Sequence, residues 1–354
     1  MKKFIVNIIF SVTLITISQF FIIRYIMYNY YSDEILQQIA DSLNYVPNPD
    51  IINDYNSHNY PEDYPYINNK HHKNTPIIFR ETCPDITKPR VKFSIEKFEK
   101  IKEREFQKAK KEFIVDILAE LTPYDVDKCL IRVGQRYDGG YLILNHELDK
   151  VEVVYTYGVN DDTMFERQFT DKYNSKMWLY DFSIKGVPYH PNFNFVKEGV
   201  SGSPDKKKLL DTVENHLTKN LHFGKRKILK LDVEGAEYDS IETMKESILL
   251  EFDQVIMEIH NVTDNLKRFK LLLDKLNKYF YIYHVHANNF SYTVKSENFR
   301  LPRVLEVGWI KKSLINSTDV YFSNKVLPLY LDAPNNSTDK DIKLDYWPFK
   351  YEDV

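Results

Sequence analysis

Between residues 151 and 315 the chain alternates strand-like and helix-like runs, and this restricts the fold more than any other feature. The strand-like runs are VEVVYTYG (151–158), MWLYDFS (177–183), FNFVKEGV (193–200), KILKLDV (227–233), FDQVIMEIH (252–260), YFYIYHVHANN (279–289) and VLEVGWIKKSLI (304–315). They are rich in the β-branched and aromatic residues that suit a pleated surface. FERQFTDKYN, KKKLLDTVENHLTK, AEYDSIETMKES and NLKRFKLLLDKLNK fall between them, with apolar residues at helical spacing. Such alternation predicts a parallel sheet wrapped by helices, an α/β fold. No long helix separates the last two strands, which predicts an antiparallel pair at one edge. No internal repeat is visible.

The flanking regions read differently. MKK is followed by FIVNIIFSVTLITISQFFII (4–23), with no charge before Arg24. A bilayer core of ~30 Å needs about 20 such residues in a helix, so 1–31 reads as a signal-anchor transmembrane helix. The alternative is a cleaved signal peptide, with Thr16-Ile17-Ser18 as its site and a secreted product. Lys2 and Lys3 outweigh Arg24 with its neighbours Asp33 and Glu34. This predicts a cytoplasmic N-terminus and a single-pass type II protein, its bulk in the lumen of the Golgi or endoplasmic reticulum. Sequons at Asn261, Asn289, Asn316, Asn335 and Asn336 fit that side. Cys83 and Cys129 are the only cysteines and could form one bridge in an oxidising compartment. Residues 32–89 are polar and turn-rich and read as a flexible stem, with His71-His72 as a solvated pair in it. Residues 90–121 read as one amphipathic helix ending before Pro123, with Phe98, Ile101, Phe106, Ala109, Phe113, Ile117 and Leu121 on one stripe. Net charge is only -3, from 48 basic and 51 acidic side chains, so no global field suggests nucleic acid as a partner.

In an open α/β sheet, ligands bind at the carboxyl ends of the strands, near the switch in strand order. The first run ends in YTYGVNDDTMFE, where Gly158 permits a close turn and Thr163 with Glu166 suggests a capping box. The free N–H groups of that helix start suit an anionic group. The second run ends at Asp181, roughly 20 residues on, where an acid can accept ribose hydroxyls. Asp181 is otherwise a turn cap. The fourth ends at Asp232, followed by Glu234, Gly235 and Glu237; Gly235 lets a ligand approach, and the acids also favour the start of a helix. The fifth ends in Glu258 and His260, and the sixth in His284, His286, Asn288 and Asn289. Acid, imidazole and amides gathered at one sheet edge could deprotonate a hydroxyl, or with Asp232 ligate a divalent cation. Taken singly, each histidine is more commonly a buried, satisfied core residue.

The motifs LKLDVEGAEYDSI, RVGQRYDGGYLI, VYTYGVNDDTMFE, HVHANN and PRVLEVGWI together resemble the FkbM-like branch of class I S-adenosylmethionine-dependent methyltransferases, in its membrane-anchored eukaryotic form. The resemblance spans about residues 122–320. It implies a Rossmann-like sheet of seven strands with the last antiparallel, a methyltransferase domain over 122–325 and a C-terminal extension over 326–354. It implies S-adenosylmethionine as the cofactor, with its methionine part against Gly158, Asn160 and Asp161 and its ribose at Asp181. Asp138, Gly139 and Gly140 match a DGG element near the cofactor, and Asp232 lies beside the transfer centre. The usual acid two residues before the first glycine is Thr156 here, and the later glycines are missing. The catalytic base is then Asp232, Glu234 or His260. His286, Asn288 and Asn289 are expected to meet the acceptor, a carbohydrate or other small hydroxyl compound. Two alternatives stand beside this reading: an inactive methyltransferase-like binding protein, and a Golgi-type glycosyltransferase using the D-x-D of Asp125-Val126-Asp127.

Overall fold

The computed structural model describes residues 81–85, 90–109, 112–295 and 299–350. The apolar segment 4–23, the histidine pair and most of the expected stem lie outside the described residues. Among the described residues no helix is long and apolar enough to cross a membrane.

The centre is a sheet of seven strands. In chain order they are β1 (Val153–Tyr157), β2 (Lys176–Tyr180), β3 (Phe193–Val196), β4 (Lys227–Leu231), β5 (Gln254–Ile259), β6 (Phe280–Ala287) and β7 (Leu305–Lys311). Every residue of β1, β4 and β5 is buried, as expected of parallel strands covered on both faces. The spatial order is β6-β7-β5-β4-β1-β2-β3. β1 to β5 are parallel neighbours, whereas β7 runs antiparallel to both β5 and β6. The chain leaves β1 towards β2 and β3, then returns to place β4 on the other side of β1. The β1/β4 boundary is therefore the switch point, the place beyond the strand ends where open α/β sheets bind ligands. The architecture is Rossmann-like, with the last strand antiparallel.

The expected antiparallel pair forms at one edge: β6 is outermost, and β7, inserted between β5 and β6, has all but its final residue buried. Three other expectations need correction. Residues 90–121 make two helices, α1 (Ile95–Ala109) and α2 (Glu112–Glu120). Lys102 and Asp116 pair at 2.5 Å, a distance that one straight helix rising 1.5 Å per residue could not give them. Second, the helix expected from 206 starts only at Val213. Leu210–Asp211 pairs instead with Gly199–Val200, and the Thr212 hydroxyl accepts the Asn215 N–H to cap α4, Val213–Asn220. The remaining helices of eight residues or more are α3 (Met164–Tyr173), α5 (Ala236–Thr243) and α6 (Leu266–Asn277).

The third correction concerns the boundaries. RVGQRYDGGYLI folds as a hairpin of Leu130–Gly134 with Gly140–Leu144, tied to β5 where the Gln254 amide bonds both the N–H and C=O of Leu144. Glu81–Thr82, expected in the stem, adds a third antiparallel strand to this hairpin, and Cys83 is disulfide-bonded to Cys129. The expected extension after 325 is packed onto the domain too, with Leu327, Leu331, Leu344 and Phe349 buried.

Candidate functional site

At the end of β1 the chain turns sharply at Gly158, with φ +76°. A Cβ there would lie 1.6 Å from the Asp232 carbonyl oxygen, so glycine is required because the β4 turn packs directly on the β1 turn. The same contact brings two of the expected site residues together. Asn160, also left-handed at φ +50°, donates its N–H to Asp181 Oδ2 at 2.9 Å. Asp181 Oδ1 accepts the N–H and hydroxyl of Ser183 at 2.7 and 2.6 Å. The acid closing β2 thus fastens the β1 and β2 turns to each other. Asp161 is exposed on the same turn. The hairpin tip completes this side: the position a Cβ of Gly139 would take is 2.8 Å from the Asp162 carboxylate, Gly140 lies against Arg132, and Asp138 accepts the Asn335 amide at 3.0 Å.

The expected capping box at the start of α3 does not form. Thr163 is the N-cap residue but makes no side-chain cap, and Asp162 accepts the Met164 N–H at 2.8 Å instead. Glu166 turns inward to face the buried Lys230 ammonium at 4.0 Å, because that lysine on β4 needs a counter-charge. Lys230 pairs in register with Thr156 on β1, so a carboxylate from the helix stands close to the position where the motif lacks its acid.

Beyond β4, Asp232 presents two differently held oxygens. Oδ2 accepts the hydroxyl of Tyr141 at 2.7 Å, and Oδ1 lies 4.0 Å from His260 Nε2. The turn then runs through Glu234, left-handed and 86% exposed along its side chain, to Gly235, with φ +107°. Beyond its own chain neighbours, nothing lies within 4 Å of where a Gly235 Cβ would be. Open space therefore borders the turn on that side.

His260 is enclosed by acids. Its Nδ1 meets Glu237 at 3.0 Å, and its Nε2 meets Glu258 at 3.1 Å and Glu234 at 3.4 Å. Glu237 is fully buried and also takes the Gly235 and His260 backbone N–H groups at 2.7 and 2.6 Å, locking the β4 turn to the end of β5. Burial disfavours the charged ring, but the hydrogen bonds and charges of Glu237 and Glu258 outweigh it and raise the His260 pKa to about 11. Burial and the charge of Asp232 also push the Glu258 carboxyl up. The proton in this pair belongs on the imidazole, since Glu237 stabilises the ring cation from its other side. Asn288 holds Glu258 in place through its amide at 3.0 Å. Asp232, Glu258 and His260 each offer a ligand atom within 4.8 Å of the others, a set of donors that suits a divalent cation.

The histidines of β6 are taken up by other acids, although Glu306 stands in register with both Glu258 and His286 on one face of the sheet. His284 pairs with Asp332 at 2.9 Å, and both side chains are buried. His286 is held between Glu306 on Nδ1, at 3.1 Å, and Asp341 on Nε2, at 3.0 Å. Burial opposes its charge, yet Glu306, Asp332 and Asp341 raise its pKa well above the usual range. His286, expected to meet the acceptor, has both ring nitrogens occupied by acids of β7 and the C-terminal extension. Asn289 is bonded through its side chain to the backbone of Asn336.

Several site residues were not singled out from the sequence. Tyr141 directly follows the DGG element and could have been found from that adjacency. Glu237 stands inside the quoted LDVEGAE motif, where it read as a favourable charge at a helix start. Glu306, Asp332 and Asp341 gave no local signal, and Asn335 read only as a sequon. The D-x-D carboxylates are engaged away from the strand ends: Asp127 with Arg90 at 2.8 Å, and Asp125 with Lys325 at 3.8 Å.

No protein-family model matches the chain, and no curated protein does either. A solved structure from Plasmodium falciparum, provisionally named a ribosomal RNA methyltransferase, aligns with 48% of this chain and 90% of its own at 14% identity, with a TM-score of 0.26. A likeness of that size carries no argument.

Proposed function

We propose that the chain is an S-adenosylmethionine-dependent methyltransferase that methylates a hydroxyl of a luminal acceptor such as a glycan. The observation that carries this reading is the joining of three strand ends at the switch point, with Gly158 packed on Asp232 and Asn160 capping Asp181. The same rim has open space beside Gly235.

These residues fit a sulfonium nucleoside. Asp181 has three donors on its oxygens, and a carboxylate offers about four lone-pair sites, so one acceptor remains for a ribose hydroxyl. Gly158, Asn160 and Asp161 line the β1 turn, and Asp138, Gly139 and Gly140 approach it from the hairpin. Bound there, S-adenosylmethionine would supply an electrophilic methyl group.

Among the three candidate bases, Asp232 takes the role. His260 has both ring nitrogens against carboxylates, and Glu234 projects into solvent from a left-handed turn. Asp232 is fixed through Oδ2 by Tyr141, and its side chain is 25% exposed, so Oδ1 can receive a proton from an acceptor hydroxyl. The imidazolium beside it keeps that oxygen oriented. A divalent cation held by Asp232, Glu258 and His260 would replace the imidazole proton. The luminal setting is supported by the Cys83–Cys129 bond, since disulfides persist in oxidising compartments.

Calorimetric titration of the full chain with S-adenosylhomocysteine and with nucleotide-sugars, each with and without Mg²⁺ or Mn²⁺, tests the reading. S-adenosylhomocysteine is expected to bind, and Asp232→Asn to keep that binding while losing about 100-fold in turnover. Binding of a nucleotide-sugar in its place would turn the assignment to glycosyl transfer. Binding of neither would leave an inactive relative.

A further inference from the structure

Past the end of β6 lies a cavity of about 500 Å³ that the site described above does not use. Its walls come from the loop at Asn289, the small antiparallel ladder in which Lys295 pairs with Arg300, and the C-terminal stretch 339–346. A volume of this size is ordinary for a small-molecule pocket.

The charge of the walls is unusual for this chain. Lys295, Arg300, Lys340 and Lys343 face it together, against Asp339 and Asp345, in a protein whose net charge is -3. Among the described residues none of these four cations reaches a carboxylate, although other well-exposed cations such as Lys245 and Lys278 are paired at 2.7 and 2.8 Å. Asp339 is itself occupied by the Asn336 amide at 2.9 Å. The Arg300 guanidinium lies over the Tyr346 ring, 5.3 Å from its centroid, and Phe349 holds that ring edge-on at 5.5 Å. The tyrosine hydroxyl is buried without a hydrogen-bond partner, a donor that a ligand oxygen could satisfy after a small shift of the ring. Unpaired cations around a concave wall concentrate anions, and a fixed aromatic plate suits the face of a sugar ring.

The cavity begins one residue along the chain from the candidate site. Asn288 holds Glu258 beside His260, and the next residue, Asn289, forms part of the cavity wall. We propose that this cavity binds a saccharide bearing an oxyanion, a sulfate, phosphate or carboxylate group, and that it is the acceptor subsite; the second part rests on the methyltransferase reading.

The test is calorimetric titration of the full chain, at fixed ionic strength, with a sulfated disaccharide, a sugar phosphate, a uronic acid, the neutral parent disaccharide and inorganic sulfate. At least one charged saccharide is expected to bind at least tenfold more tightly than both the neutral sugar and inorganic sulfate. K340A/K343A and R300A should each weaken it at least tenfold, K340R/K343R should retain it, and S-adenosylhomocysteine affinity should stay within twofold. Comparable binding of charged and neutral sugars, of inorganic sulfate and charged sugar, or of wild type and the alanine variants, overturns the proposal. A native unfolding midpoint in each variant separates lost binding from lost folding. If wild type binds the charged saccharide but not S-adenosylhomocysteine, the methyltransferase reading and the acceptor role fall while the anion site stands.

Discussion

Gly158 is the residue on which the rest of the rim depends. A side chain there would collide with backbone rather than with a movable group, since the Asp232 carbonyl oxygen would lie 1.6 Å from its Cβ. The left-handed φ adds strain of its own, of order 1–3 kcal/mol. Gly158→Ala is therefore expected to lower unfolding free energy by about 3 kcal/mol or more and to abolish S-adenosylhomocysteine binding, measured by urea denaturation and calorimetry. An alanine variant with native stability would show that the two turns are not packed as described. Gly158 was legible in the sequence as a site residue, but its reason was not. The missing side chain makes room for the neighbouring strand's loop, whereas at Gly235 it leaves open space.

Elements were legible where their pattern was local. The aromatic and β-branched runs of β1, β4 and β5 and the apolar stripe of α6 read correctly because period and burial agree within each segment. Failures came where a tertiary partner intervened, as at the start of α4, where Leu210–Asp211 pairs with Gly199–Val200. On α4, His216 sits under the ends of β1 and β2, its Nδ1 facing the Tyr157 hydroxyl at 3.0 Å and its ring stacked on Tyr180 at 4.1 Å. Burial lowers its pKa from 6.5 to about 4, against the opposing pull of Glu198. The unfolded chain binds this proton near pH 6.5 and the folded chain only near 4. Between those values the unfolded state holds more protons, so stability falls as the pH falls; outside that window this group adds no slope. Up to about 3 kcal/mol is at stake. The unfolding free energy of wild type minus that of His216→Gln should decline from pH 6.5 to 4, and a pH-independent difference would refute the assignment.

For the whole molecule, the contacts that define its extent are long-range. The Cys83–Cys129 bond joins positions 46 residues apart, and closing such a loop in the unfolded chain contributes about 4 kcal/mol in the chain-entropy description. Reduction under native conditions is expected to lower the unfolding midpoint accordingly, and a C83S/C129S variant to match the reduced protein. An unchanged midpoint would mean that the attachment of residues 81–85 adds nothing to the fold. At the other end, the His284–Asp332 and His286–Asp341 pairs make the last segment part of the sheet's edge and not an appendage. The buried amide of Asn335 serves Glu306 and Asp138 at once, so this sequon is not open to modification in the folded chain. Asn316 remains exposed.

The sequence by itself determined the layering and direction of the sheet and the acids at its strand ends, because periodicity and strand termination are written in residues adjacent along the chain. Which of those acids touch, and what holds them, was decided only by tertiary structure. Tyr141 meets Asp232 across 91 positions, Glu237 clamps His260, and the tail neutralises the β6 histidines. The physical reason is that a buried charge must find a counter-charge or a donor wherever packing brings one, and no local pattern records that partner.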